Sequence, residues 1–189
     1  MQNKQNTQKI CHRDELGFLL NDCHLAGEGA EIGVFRGEYS LTLLSTWQGK
    51  TLHLVDPWCY LEGYHDGCLA SDAENEIRMS ETQERLKYYI GRYQIHRRTS
   101  VDAAQEFENG SLDFVYVDAN HEYEHIVQDL KTWLPKIRQG GILSGHDFFD
   151  GTNVNGIYGV KSAVEEFAQR HQLSFSLTQD DPASWYMFV

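Results

Sequence analysis

Three acids in this chain each close a short apolar run: Leu54-Val55-Asp56, Val115-Tyr116-Val117-Asp118, and Ile142-Leu143-Ser144-Gly145-His146-Asp147. One such acid alone is more often a helix cap or turn residue. On successive strand ends of one sheet they converge on a single crevice, where a carboxylate can accept hydrogen bonds from a ribose diol, as Asp56 would. His121 and His146 stand beside the second and third acids. Imidazole, with an ordinary pKa near 6.5, can take a proton from a substrate at neutral pH. Upstream, Glu31-Ile32-Gly33-Val34-Phe35-Arg36-Gly37 reads as a buried strand that breaks into a glycine turn and then a helix. Gly33 and Gly37 permit positive φ and close approach to a ligand, and the helix from about Tyr39 presents unpaired N–H groups to it. Glu31 holds the place of the first glycine of the dinucleotide pattern G-x-G-x-x-G. A carboxylate there repels a pyrophosphate and suits a ligand carrying an amino group, which argues against a nicotinamide dehydrogenase.

These residues need a scaffold that brings strand ends together, and hydrophobic periodicity supplies one. A first helix is expected at about 12–25, with later helices near 39–47, 73–90, 101–107, 122–135 and 158–171. Strands are expected at about 29–35, 51–56, 93–98, 112–118, 140–146, 173–178 and 184–189. The alternation is that of an α/β fold. Tyr123, Ile126, Val127, Leu130, Trp133 and Leu134 form one apolar stripe, with Asn120 as the expected N-cap and Pro135 near the end. Gln179-Asp180-Asp181-Pro182 is too short for a helical crossover and predicts an antiparallel final pair. Two connections are long, residues 57–72 with Trp58, Tyr60, Tyr64 and His65, and residues 148–158 with two glycines. Both follow strands, so both rise from one edge of the sheet, and their length and aromatic content predict a lid over a ligand.

At 189 residues the chain has the length of one domain, and its 41% hydrophobic content is that of a globular protein. A formal net charge of −12 argues against nucleic acid or an anionic membrane as partner. The cysteines at 11, 23, 59 and 68 show no C-x-x-C pair or metal-finger spacing. No leader or long apolar run is visible, so free thiols in a cytoplasmic setting are expected. Residues 1–28 read as a tail and helix ahead of a domain at 29–189.

From about Gly29 to Val189 the chain resembles the class I S-adenosylmethionine-dependent methyltransferases. The resemblance is carried by residues 31–37, Leu54-Val55-Asp56-Pro57-Trp58, Thr99-Ser100-Val101-Asp102-Ala103-Ala104, Val117-Asp118-Ala119-Asn120-His121-Glu122-Tyr123, and Gly140-Gly141-Ile142-Leu143 before His146-Asp147. It implies a doubly wound, seven-stranded, mostly parallel sheet with an antiparallel last strand. It places Glu31 and Gly33 near the methionine end of S-adenosylmethionine, Asp56 on its ribose and Ser100, Val101 and Asp102 beside its adenine, with Phe35, Gly37 and Asp118 also lining the cofactor. The Asp-x-x-His-x-Tyr pattern at 118–123 is similar to bacterial small-molecule O-methyltransferases, which implies a small-molecule acceptor and leaves a homo-oligomer open. Such enzymes often hold Mg²⁺ on acids that correspond to Asp118 and Asp147. The catechol type has Asn after its second acid where this chain has Phe148, so His121 or His146 stands as the alternative base. The acceptor and the choice between oxygen and nitrogen are not encoded in any motif.

Two other functions compete. His121-Glu122-Tyr123-Glu124-His125 matches the zinc-hydrolase pattern H-E-x-x-H literally. Its first histidine directly follows a strand and His125 lies off the apolar stripe, which argues against a shared metal-binding face. The other is a noncatalytic binder of nucleotide-like ligands on the same fold, against which the acids and histidines at the strand ends weigh.

Overall fold

The computed structural model describes residues 9–62 and 71–189. Seven strands form the main sheet: β1 (Glu28–Ile32), β2 (Thr51–Val55), β3 (Tyr93–His96), β4 (Leu112–Val117), β5 (Ile137–Gly145), β8 (Phe175–Leu177) and β9 (Trp185–Phe188). Their order is β3-β2-β1-β4-β5-β9-β8, parallel from β3 to β5, with β9 antiparallel to both neighbours. This is the expected doubly wound sheet. Every residue of central strand β4 is buried, as a parallel strand covered on both faces requires. Phe114 and Tyr116 face a core shared with α1 (Leu16–Asp22) and α2 (Glu38–Thr46), through Leu19, Leu43 and Trp47. Val115 and Val117 face the other core, shared with α4 (Ser100–Ala104), α5 (Tyr123–Trp133) and α6 (Val160–His171), through Leu130, Trp133 and Val164.

Local chemistry sets several boundaries. Helix α3 (Asp72–Arg85) starts in a capping box, in which Ser71 Oγ accepts from the Glu74 N–H and Glu74 Oε2 accepts from the Ser71 N–H. It ends at Arg85 and is followed by a 3-10 turn over Lys87–Tyr89, where one helix through 90 was expected. Asn120 does not cap α5; Glu122 does, and Asn120 Oδ1 accepts from the Glu122 N–H at 2.8 Å in an Asx turn two residues earlier. The expected first helix is a 3-10 turn at Arg13–Glu15 followed by α1.

Residues 148–158 are not an open loop. They contain most of an antiparallel hairpin, β6 (Asp150–Asn153) with β7 (Gly156–Gly159), whose Tyr158 is buried. Of the other expected lid, residues 63–70, with Tyr64, His65 and Cys68, lie outside the described residues; Cys11, Cys23 and Cys59 are free thiols.

The topology fixes where a ligand can sit. The chain leaves β1 toward β2 and β3, then returns to the other side through β4 and β5, so the order reverses between β1 and β4. A crevice opens at the carboxyl ends of the strands flanking such a switch point.

Candidate functional site

A cleft of about 470 Å³ occupies that switch point, walled by the ends of β1, β2, β4 and β5, the start of α4 and the β6–β7 hairpin. Register delivers its residues: Ile32 pairs with Val117, and the Asp118 N–H donates to Ile32 O at 2.7 Å, setting Gly33 directly against Asp118. Gly33 has φ +89°, and a Cβ on it would lie 2.1 Å from the Asp118 carbonyl oxygen. Its smallness therefore serves the close approach of β1 to β4, and the residue also lines the cleft. Gly37, at φ +72°, is the left-handed cap that starts α2, and a Cβ there would press on Thr82 of α3 at 2.8 Å. It lies outside the cleft lining.

Asp56 does two jobs at the end of β2. Its Oδ2 accepts from the Val34 and Phe35 N–H groups at 3.0 and 2.9 Å, and its Oδ1 from the Trp58 N–H at 2.8 Å. The carboxylate thus holds the turn after β1, including Phe35 at φ +54°. About one of its roughly four lone-pair positions remains for a ribose hydroxyl. Burial raises its pKa, opposed by the three backbone donors.

Glu31 lines the cleft from β1 and is 1% exposed. Burial pushes its carboxyl up to about 8, against the lowering effect of the Ser40 hydroxyl, which donates to Oε2 at 2.5 Å; Asp118 and Asp56 raise it further and Arg13 lowers it. A buried acid that is protonated when alone becomes a carboxylate when a cation is brought to it.

Asp118, His121, His146 and Asp147 come together at the ends of β4 and β5. His121 Nε2 lies 2.9 Å from Asp147 Oδ2 and 3.5 Å from Asp118 Oδ1, while His146 Nδ1 lies 3.2 Å from Asp147 Oδ1. Asp147 sits at φ +50°, a left-handed geometry that Asp tolerates better than most residues and that directs its carboxylate between the two imidazoles. Burial raises its pKa, but the hydrogen bonds and charges of His121 and His146 outweigh it and hold the carboxyl well below the usual range. The His121 ring stacks on Tyr158 at 4.7 Å between centroids, and Tyr158 on Phe149 at 4.3 Å, so the hairpin anchors this corner.

One oxygen each from Asp118 and Asp147 and the His121 nitrogen lie within 4.8 Å of one another. Adjacent ligands of an octahedral ion with bonds of about 2.1 Å stand about 3 Å apart, so small side-chain movements would let these three hold a divalent cation. His121 would be the third ligand, which Phe148 cannot be. Phe148 instead packs on Phe175 at 5.4 Å between centroids.

The α4 residues divide. Thr99 and Ser100 line the cleft, Val101 and Asp102 do not. Asp102 accepts from the Thr99 hydroxyl at 2.7 Å as part of the α4 cap. The Ser100 hydroxyl donates to buried Asp129 at 2.5 Å and accepts from Trp133 Nε1 at 2.8 Å, so it has no proton left for an adenine. The H-E-x-x-H pattern is not assembled: His121 precedes α5, and His125 is absent from the cleft and from the one potential metal cluster among the described residues.

Arg13 and Arg78 line the cleft without any sequence signal, whereas Asn155 and Tyr158 fall in the segment expected as a lid and Asn120 in the 117–123 motif. Arg13 enters from the amino-terminal segment and Arg78 from α3, the latter over the Phe35 ring at 4.6 Å. Asn155 and Tyr158 come from the hairpin. Asn120 is 1% exposed, and its Nδ2 has no hydrogen-bond partner among the described residues. A buried orphan donor in a cleft wall is costly unless a ligand meets it.

A curated relative, an uncharacterized protein named y4gI from Sinorhizobium fredii, is 29% identical over 93 residues, covering 49% of this chain; the match spans about 10% of that relative's length. The O-methyltransferase TomG from Streptomyces achromogenes, solved with S-adenosylmethionine, superposes with a TM-score of 0.65 at 15% identity, covering 96% of this chain and 81% of TomG. An O-methyltransferase from Bacillus cereus, solved with S-adenosylhomocysteine, gives 0.66 at 13% identity, covering 93% and 80%. Both likenesses establish the fold, a class I Rossmann-like architecture. The model of the methyltransferase domain family matches residues 30–148, a span that runs from β1 past Asp147, and the chain belongs to that family.

Proposed function

We propose that this chain transfers a methyl group from S-adenosylmethionine to a hydroxyl oxygen of a small-molecule acceptor. The observation that carries the reading is the pairing, in one cleft, of a buried carboxyl suited to an ammonium group with a carboxylate that holds two histidines. When bound, the cofactor supplies an electrophilic methyl group on a sulfonium. Glu31 would receive the cofactor's ammonium and Asp56 its ribose, while Asn120 Nδ2 offers a donor from the β4–α5 turn.

His146 is the favoured base. Its Nδ1 is taken up by Asp147 Oδ1, which fixes the tautomer in which Nε2 carries the lone pair. That nitrogen takes the acceptor's proton as its oxygen attacks, and Asp147 stabilises the resulting imidazolium. Asp118, His121 and the other oxygen of Asp147 would hold a divalent cation, Mg²⁺ among the candidates, whose chemistry would be to lower the acceptor hydroxyl's pKa. The two roles are compatible, because Asp147 presents Oδ2 to His121 and Oδ1 to His146. Alignment of acceptor and methyl donor is the larger contribution, up to roughly 7–11 kcal/mol. The hairpin bearing Tyr158 and the segment bearing Trp58 wall the cleft where water must be excluded.

The test is a ligand series in thermal unfolding, followed by an acceptor screen with methyl-labelled cofactor. S-adenosylmethionine and S-adenosylhomocysteine should raise the midpoint and NAD should not. A rise with NAD alone, or labelled cofactor that transfers to no acceptor in a hydroxyl-rich pool, would sink the proposal.

A further inference from the structure

Arg13 reaches the cleft on a segment that is held from two sides. Its N–H donates to Asp180 Oδ2 at 2.8 Å, and its carbonyl accepts from the Tyr39 hydroxyl at 2.9 Å. Next to it, the Cys11 carbonyl accepts from the Gln179 N–H at 2.7 Å and His12 Nδ1 lies 3.0 Å from Asp180 Oδ1. The turn between β8 and β9 therefore clamps the amino-terminal segment across the sheet edge and fixes where the Arg13 side chain emerges.

That side chain is poorly matched by the protein itself. It is 28% exposed, lies over the Tyr39 ring at 4.4 Å, and meets Asp118 Oδ2 only at 3.7 Å, beyond hydrogen-bond distance. Among the described residues none of its guanidinium N–H groups makes a hydrogen bond. A guanidinium carries five donors in a planar fork that matches a carboxylate bidentately, and leaving those donors partly desolvated with only a long ion pair and no hydrogen-bond acceptor is unfavourable. The missing partner is an anion of that shape.

The position of the fork narrows the anion. Arg13, Glu31 and Asp118 stand at the ends of β1 and β4, whereas Asp56 and Arg78 stand on the β2 side beside Phe35. The Arg13 charge also acts on the Glu31 carboxyl, so the two lie in one electrostatic neighbourhood. A carboxyl and a guanidinium lining the same cleft are the complement of an α-amino acid, whose ammonium and carboxylate share one carbon. A plain nucleoside would leave both unmet, and a nucleotide's phosphate could meet Arg13 but would leave Glu31 without a cation.

We infer that Arg13 binds the α-carboxylate of an amino-acid-bearing nucleoside, across from Glu31, which takes the ammonium group of the same ligand. The inference rests on the methyltransferase reading and adds a residue to it. Arg13 is here a specificity residue: it distinguishes nucleosides that carry a complete amino acid from those that do not.

The test is calorimetric titration of the full chain with two ligands. One is S-adenosylhomocysteine; the other is its decarboxylated analogue, in which the thioether side chain ends in a primary amine and no carboxylate. In Arg13→Ala the Kd for S-adenosylhomocysteine should rise roughly 10- to 100-fold, the range for a charge-assisted hydrogen-bonded pair, while the Kd for the analogue should change by less than about 3-fold. Arg13→Lys, which keeps the charge and loses the fork, should fall between wild type and Arg13→Ala for the first ligand only. Both variants retain the backbone contacts to Asp180 and Tyr39, and a thermal melt checks their folding. Equal losses for the two ligands would assign Arg13 a structural role and overturn the inference, as would no loss for either. Failure of S-adenosylhomocysteine to bind the wild type would overturn the methyltransferase reading itself, and this inference with it.

Discussion

Glu31 gives the sharpest pH prediction, because its carboxyl is buried and is protonated at neutral pH when the cleft holds no cation. With its pKa up at about 8, only about 1% of the free protein carries Glu31 as a carboxylate at pH 6. If the ligand's ammonium requires the carboxylate, the Kd for S-adenosylhomocysteine should tighten nearly tenfold per pH unit between about 6 and 7.5. Each factor of ten corresponds to about 1.4 kcal/mol. Over the same range each binding event should release close to one proton, measurable by calorimetry in two buffers of different ionisation enthalpy. Above about pH 8 the trend should flatten or reverse, as the ligand's own amine begins to lose its proton. Glu31→Gln should bind weakly, release no proton and show no slope below pH 7.5. Stability runs the opposite way. A folded-state pKa raised from 4.5 to about 8 means that the native protein holds a proton the unfolded chain has lost, so stability falls as pH rises from about 4.5 to 8. The upper limit of that fall is about 5 kcal/mol, and Glu31→Gln should remove it. A wild-type Kd that is flat from pH 6 to 7.5, with no proton release, would mean that Glu31 is already ionised in the free protein and would refute the reasoning from burial.

Gly33→Ala should unfold at lower denaturant concentration, by at least about 2 kcal/mol, because its Cβ meets the Asp118 carbonyl and the residue has positive φ; a variant that folds normally and loses only ligand affinity would count against that packing role. Calorimetry with Mn²⁺ and Mg²⁺ should show a site that weakens at least tenfold in His121→Ala, with Mn²⁺ bound more tightly because an imidazole joins two carboxylates; equal binding in wild type and variant would remove His121 from the ligand set. Asp147→Asn should lower the methyl-transfer rate at least 100-fold with little change in cofactor Kd, since His146 loses the partner that fixes its tautomer; a rate within tenfold of wild type would dismiss His146 as base. The same variant should lose a stabilising contribution that a depressed carboxyl makes above about pH 4 and surrenders as pH falls below it, read from acid unfolding curves that would otherwise coincide.

What could be read from the sequence was position along a strand, since burial period and turn residues are local. The ends of β1, β2, β4 and β5 fall within a few residues of expectation, and Glu31, Asp56, Asp118, His121, His146 and Asp147 all line one cleft. What escaped was anything decided by residues far apart in the chain. Arg13 is set in place by Asp180, 167 positions away, and no period or motif links the two. The β6–β7 hairpin escaped for a different reason: all four residues of β6 are exposed, so it carries no alternation of apolar and polar residues, and Asn155 and Tyr158 bring it to the cleft. The hardest quantity to foresee is how a carboxylate's lone pairs are shared. Asp56 was expected on a ribose, yet two of its hydrogen bonds hold the turn after β1 and a third the Trp58 N–H of its own segment, and Ser100, expected beside an adenine, spends its proton on Asp129. A strand-end position shows that a polar side chain can reach the ligand, but its remaining donors and acceptors decide whether it binds the ligand or holds the backbone that does.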